Sequence, residues 1–128
     1  MAYTKFKELT RYFNFNEEMN PNHLPKYVID YLDENEEIYA AYKTKRDKAV
    51  FTSDRMILFD NLLFQKTVHM IPYKAIATSA IVYGKNKVSI LLSLYNSYPV
   101  RLNFVKLDSR GKTRLRLLYT HIVKENKK

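Results

Sequence analysis

Residues 88–95, VSILLSLY, and 98–105, YPVRLNFV, decide the fold. In the first, Val88, Ile90, Leu92 and Leu94 alternate with Ser89, Leu91 and Ser93. In the second, Tyr98, Val100, Leu102 and Phe104 alternate with Pro99, Arg101 and Asn103. A period of two sends successive side chains to opposite faces of a strand, and one inward face with one toward water is the pattern of antiparallel sheet. Upstream lie five more short runs rich in Val, Ile, Tyr, Phe and Thr, at about 38–45, 48–53, 55–60, 66–71 and 76–83. Charged or polar turns separate them, which is the strand signature. Downstream the period changes. Leu115, Leu118 and Ile122 stand at helical spacing with Tyr119 and Val123 beside them, after a cap at Asp108 or Ser109. This predicts a helix over 109–124 whose apolar stripe covers the open end or seam of the sheets.

The first 33 residues read differently. Phe6, Leu9 and Phe13, with Tyr12, form a helical stripe that predicts a helix over 3–13, followed by a polar loop to Asn22. A second helix is expected over 22–33, with Asn22 as N-cap, Pro25 in the first turn and Leu24, Val28, Tyr31 and Leu32 on its apolar face. The chain of 128 residues suits one domain. The expected class is α+β: a seven-stranded antiparallel barrel or sandwich over 34–128, capped by the C-terminal helix and preceded by two short helices in an extension, 1–33, packed alongside.

Composition narrows the chemistry. The absence of cysteine removes disulfides, thiolate metal sites and cysteine nucleophiles. No apolar run approaches the ~18–20 residues of a membrane span, and charges interrupt the start, so a cytoplasmic location is expected. His23, His69 and His121 are far apart and lack metal-ligand spacing. There is no Gly-rich phosphate loop or nucleophile elbow, and the paired carboxylates Glu17-Glu18 and Glu36-Glu37 sit in charged runs. The expectation is a protein with no catalytic site, cofactor or metal.

The net charge of +9 is unevenly placed. Residues 1–37 hold eight acids and four bases; the remainder holds five acids and 18 bases, with no acid between Asn61 and Leu107. A basic half suits an anionic partner, or serves as a solvated surface attracted to the acidic N-terminal segment. Arg110, Lys112, Arg114 and Arg116 sit early in the last helix, where they oppose its dipole. That placement asks for acidic neighbours, such as those in Asp33 to Glu37.

Several fragments narrow the fold further: Glu36-Glu37-Ile38 opening the first run, Lys45-Arg46-Asp47 at its turn, Val50-Phe51-Thr52 followed by Arg55, Ile57 and Asp60, and Ile71-Pro72-Tyr73-Lys74-Ala75-Ile76. In this order and spacing the chain resembles the short bacterial pleckstrin-homology domains, over about residues 31–123. It departs from their pattern after Asp60, where Asn61-Leu62-Leu63-Phe64-Gln65 replaces the usual glycines. Leu62, Leu63 and Phe64 are therefore either a protein-contact patch or a fold-back over the barrel rim.

The resemblance implies a binding module. Basic residues around the first turn hold phosphoinositide headgroups in eukaryotic relatives of the fold, so Lys43, Lys45, Arg46 and Lys48 are the candidate anion-binding residues. Lys43 and Lys45, two apart, are expected on one sheet face; the alternative is that Arg46 pairs with Asp47 or another acid to fix the turn. The resemblance also implies docking or self-association at an open sheet edge, aided by outward-facing Tyr rings. A protein partner or homo-oligomer leads; anionic membrane, met peripherally at the inner face, comes second and nucleic acid third.

Overall fold

The computed structural model describes residues 11–62, 65–96 and 99–128. The seven expected strands form within two residues of their expected bounds: β3 (Ile38–Lys43), β4 (Asp47–Thr52), β5 (Arg55–Leu62), β6 (Gln65–Pro72), β7 (Ile76–Tyr83), β8 (Lys87–Leu94) and β9 (Pro99–Val105). Two further strands precede them, β1 (Arg11–Phe15) and β2 (Glu17–Glu18). They make two packed sheets, ordered β1-β9-β8-β7 and β2-β3-β4-β5-β6. The inward faces of β8 and β9 form as expected, with Val88, Ile90, Leu92, Val100, Leu102 and Phe104 all buried, and Tyr98 lies outside the described residues. On the face expected toward water Ser89 and Asn103 are buried as well, Ser89 Oγ donating to Asn103 Oδ1 at 2.8 Å.

The N-terminal segment corrects the sequence reading. The described part of the expected helix 3–13 is the strand β1, and the rest lies outside the described residues. Arg-Tyr-Phe-Asn-Phe has a period of two that the wider Phe6–Leu9–Phe13 spacing hides: Phe13 and Phe15 are buried, while Tyr12 and Asn14 are exposed. β1 pairs with β9 in parallel, Phe13 opposite Leu102 and Phe15 opposite Phe104, so the sheets are not wholly antiparallel. One residue later β2 joins the other sheet by pairing antiparallel with β3. A single extended segment thus spans the seam between β9 and β3. Its reward is aromatic packing: the Phe15 ring lies 5.3 Å from Phe104, and Tyr42 lies 4.8 Å from Phe104.

The second expected helix shortens to one turn, α1 (Lys26–Ile29), after a 3-10 turn at Pro21–His23. Pro25 forces Leu24 into extended backbone, which separates the two. The cap is Asn20, whose side chain accepts from Asn22 N at 2.9 Å, rather than Asn22. Leu24, Val28 and Leu32 pack as read, whereas Tyr31 is exposed. Leu24 and Val28 are buried against Ala41, Val50, Ile57 and Phe59 on the outer face of the five-stranded sheet, so β3–β5 are covered on both faces. Glu36 secures this segment. Arg55 Nε donates to its Oε2 at 2.9 Å and Arg55 Nη2 to the Tyr31 carbonyl at 2.8 Å.

The last helix forms as expected, as α2 (Ser109–Asn126), with Asp108 as N-cap accepting from Gly111 N at 2.7 Å. Leu115, Leu118 and Ile122 are buried in the main core between the sheets. At its end Asn126 Nδ2 donates to the carbonyls of Tyr73 and Ile76, fixing it over the corner between β6 and β7. No helix among the described residues is long and apolar enough to cross a membrane.

Candidate functional site

The basic first turn joins β3 to β4. Thr44 Oγ1 accepts from Asp47 N at 3.0 Å, and Thr44 N donates to the Asp47 carbonyl at 2.8 Å, which sets a tight turn. β3 ends at Lys43, so Lys45 lies in the turn and the two do not share a strand face. Three of the four basic candidates have partners within the chain. Lys43 Nζ is 3.8 Å from Glu17, Arg46 is 3.5 Å from Asp60 and 3.9 Å from Asp47, and Lys48 Nζ sits 5.6 Å from the Tyr27 ring centroid. Lys45 is exposed and, among the described residues, makes no ion pair. Asp47 and Asp60 face each other across β4 and β5, and both are buried. Burial raises the Asp47 pKa, the Asn14 N–H at 3.0 Å opposes that, and Asp60 adds to the rise. Arg46 therefore answers an internal acid pair as well as facing solvent.

Leu63 and Phe64 lie outside the described residues, as does the side chain of Leu62. The β5–β6 register holds to its last pair, Leu62 opposite Gln65.

Among the described residues, β6 and β7 end the sheets on the side away from β1 and β2. β6 carries Lys66; β7, IATSAIVY, carries no charged residue over its eight positions. Long neutral edges invite pairing with another chain, and proteins usually blunt them with lysine, proline or strong bulges. β7 has one register shift, between Ile76 and Thr78, and then runs regularly to Tyr83 opposite Val88. Ala80, Val82 and Tyr83 are exposed, Tyr83 to 57%. Beside this edge, Ser79 Oγ and Tyr119 Oη lie 3.1 Å apart, linking the middle of β7 to α2. The outer face of the same sheet holds a shallow hollow of about 420 Å³ between Tyr12, Ala80, Leu91 and Arg101.

The exposed tyrosines, among them Tyr12, Tyr39, Tyr83 and Tyr95, are spread over several faces. Tyr42 and Tyr73 belong to the core, where burial pushes both phenols well above their usual range. On α2, Arg114 takes its acid from an unexpected place. Its Nη2 donates to Glu18 Oε1 at 2.7 Å and its Nε to Glu18 Oε2 at 2.9 Å, while Glu36 is committed to Arg55. The neutral edge was legible only in part: the missing charge in 76–83 is visible in sequence, but not which strands end the sheets.

With the geometry in place, comparison with known proteins gives a consistent result. The model of the bacterial PH domain family matches residues 10–83. A DUF1696 family protein with a pleckstrin-homology domain from Shewanella loihica PV-4 superposes with a TM-score of 0.66 at 23% identity, covering 85% of this chain and 95% of that one. A PH domain containing protein from Exiguobacterium sibiricum 255-15 gives 0.68 at 17% identity, covering 89% of this chain and 63% of that one. A pleckstrin homology domain from Shewanella amazonensis SB2B gives 0.56 at 25% identity, covering 78% and 82%. No protein of curated function matches the chain.

Proposed function

This chain belongs to the bacterial PH domain family, and from that premise we propose that it is a non-catalytic interaction module that receives an extended segment, from a protein partner or a second copy, along β7. The observation that carries the reading is the uncharged, eight-residue edge strand Ile76–Tyr83, which among the described residues has no strand paired on one side, Asn126 holding the carbonyl at its first residue, Ile76. An added strand satisfies main-chain donors and acceptors there, and pockets for alternate side chains give selectivity. Ala80 and Val82 present one face of the edge to the incoming chain, and Tyr83 supplies a large amphipathic contact at its end. The opposite seam, between β3 and β9, is already occupied by β1 and β2.

Ala80→Lys/Val82→Lys tests this, because a charged edge resists pairing while the substitutions sit on exposed positions. Light scattering over a concentration series reads self-association, and quantitative co-purification from the source cells reads a heterologous partner. Loss of the wild-type association in the double variant, with unchanged circular dichroism, is the expected result. Association that survives both lysines, or a wild type that binds neither itself nor any protein, overturns the reading.

Peripheral binding to anionic membrane through Lys43, Lys45, Arg46 and Lys48 is the second reading. It is ranked lower because Glu17, Asp47 and Asp60 stand within 4 Å of two of the four, Lys43 and Arg46. Sedimentation with anionic vesicles, compared between wild type and Lys43→Glu/Lys45→Glu, separates the two.

A further inference from the structure

The turn between β7 and β8, the end of β9 and the first turn of α2 enclose a cleft of about 480 Å³. Lys85, Lys87, Lys106 and Lys112 line it, above an apolar floor that includes Phe104 and Leu107. No acid lines it. The nearest in sequence, Asp108, is turned to Gly111 N and lines an adjoining hollow with Glu17, Glu18 and Arg114, a hollow that Lys106 also lines. Among the described residues, no ion pair takes up any of these four lysines, whereas Lys43, Arg46, Arg55 and Arg114 each have an acid within 4 Å. The stretch without acids between Asn61 and Leu107 supplies three of them, and β-pairing brings them together: Lys87 lies opposite Val105, directly before Lys106.

Lys106 is the only non-glycine residue with positive φ among those described, at 60°. Left-handed backbone disfavours a residue with a Cβ, and glycine is the usual occupant. The chain keeps a lysine there, in a cleft it lines with three other lysines, and no acid among the described lining residues offsets their mutual repulsion. We infer that the cleft binds a compact polyanion bearing phosphoryl groups, its oxygens received by Lys85, Lys87, Lys106 and Lys112. Lysines are strong point-charge partners for phosphate, and the volume falls in the range of small-ligand sites. A soluble phosphoanhydride and a phospholipid headgroup share this chemistry. The site is separate from the middle of β7 and from the first turn, so it stands or falls independently of the edge reading.

The test uses the full chain at about 50 mM salt, where screening is modest. Inorganic pyrophosphate, titrated against ¹⁵N-labelled protein, is expected to give saturable shifts confined to residues 84–88 and 105–112. Lys87→Gln/Lys106→Gln should weaken binding by more than about tenfold, and Lys43→Gln/Lys45→Gln by less than about twofold. Should the first pair disturb folding, Lys85→Gln/Lys112→Gln replaces it. Sedimentation with phosphatidylglycerol vesicles then distinguishes the sources. Vesicle binding that pyrophosphate displaces and the cleft variant loses identifies a headgroup; pyrophosphate binding without vesicle binding identifies a soluble ligand. The inference is overturned by a lack of saturable pyrophosphate binding, by equal weakening in both double variants, or by oligonucleotide binding alone that the cleft variant retains.

Discussion

Replacing Glu36 by Gln removes one charge from the clamp that ties the segment before β3 to the β4–β5 hairpin. The Glu36 side chain is only 3% exposed, and Arg55 grips it with two bonds, Nε to Oε2 at 2.9 Å and Nη2 to Oε1 at 3.0 Å. Thr52 Oγ1 donates to Oε2, and Asp33 N donates to Oε1 at 3.1 Å. Arg55 is the largest cause, burial opposes it, and the net effect lowers the Glu36 pKa from 4.5 to about 2. A group depressed in this way stabilises the fold fully above its unfolded pKa and loses that contribution as pH falls through the folded value. At roughly 1.4 kcal/mol per pH unit of displacement, the contribution is about 3 kcal/mol at pH 7, and about 2 kcal/mol of it has gone by pH 3. Glutamine keeps the shape and cannot titrate. Urea unfolding of wild type and Glu36→Gln at pH 7 and pH 3 is therefore expected to show a gap of about 2–3 kcal/mol that narrows by about 2 kcal/mol in acid. A gap of the same size at both pH values refutes the assignment, because a purely steric effect of the substitution does not titrate.

Two further stability predictions test the packing that positions the site. Leu115→Ala empties a fully buried position under α2 and should cost about 2–5 kcal/mol in urea unfolding; a loss below about 1 kcal/mol means the helix does not seal the core. Tyr73→Phe removes a buried hydroxyl that donates to the Thr52 carbonyl at 2.7 Å, with an expected loss of about 1–2 kcal/mol and a near-native circular dichroism spectrum.

The candidate sites were legible to different degrees, for electrostatic and topological reasons. The cluster Lys43, Lys45, Arg46 and Lys48 is obvious along the chain, yet folding brings Glu17 and Asp60 to it from other strands. The lysines at 85, 87, 106 and 112 are scattered along the chain, and only β8–β9 pairing and the start of α2 converge them. Along a sequence, a charge shows its neighbours and not its counter-ions. The same holds for Arg114, whose partner Glu18 lies 96 residues away.

Local pattern alone determined the seven strands from Ile38 to Val105, the closing helix and its buried stripe of Leu115, Leu118 and Ile122, since alternation and helical spacing act over a few residues whatever the surroundings. It also determined that Leu24 and Val28 would be buried, though not in how long a helix. Only the tertiary structure decided that Arg11–Phe15 is a strand: five residues have no stability of their own as an isolated strand, and the gap between β9 and β3 selects the extended form. The same closure fixed which edges remain open, because an edge is defined by the absence of a neighbour and no single strand encodes that. Among the described residues no strand pairs with the outer side of β7, and that follows from the order of the whole sheet rather than from the eight residues of β7.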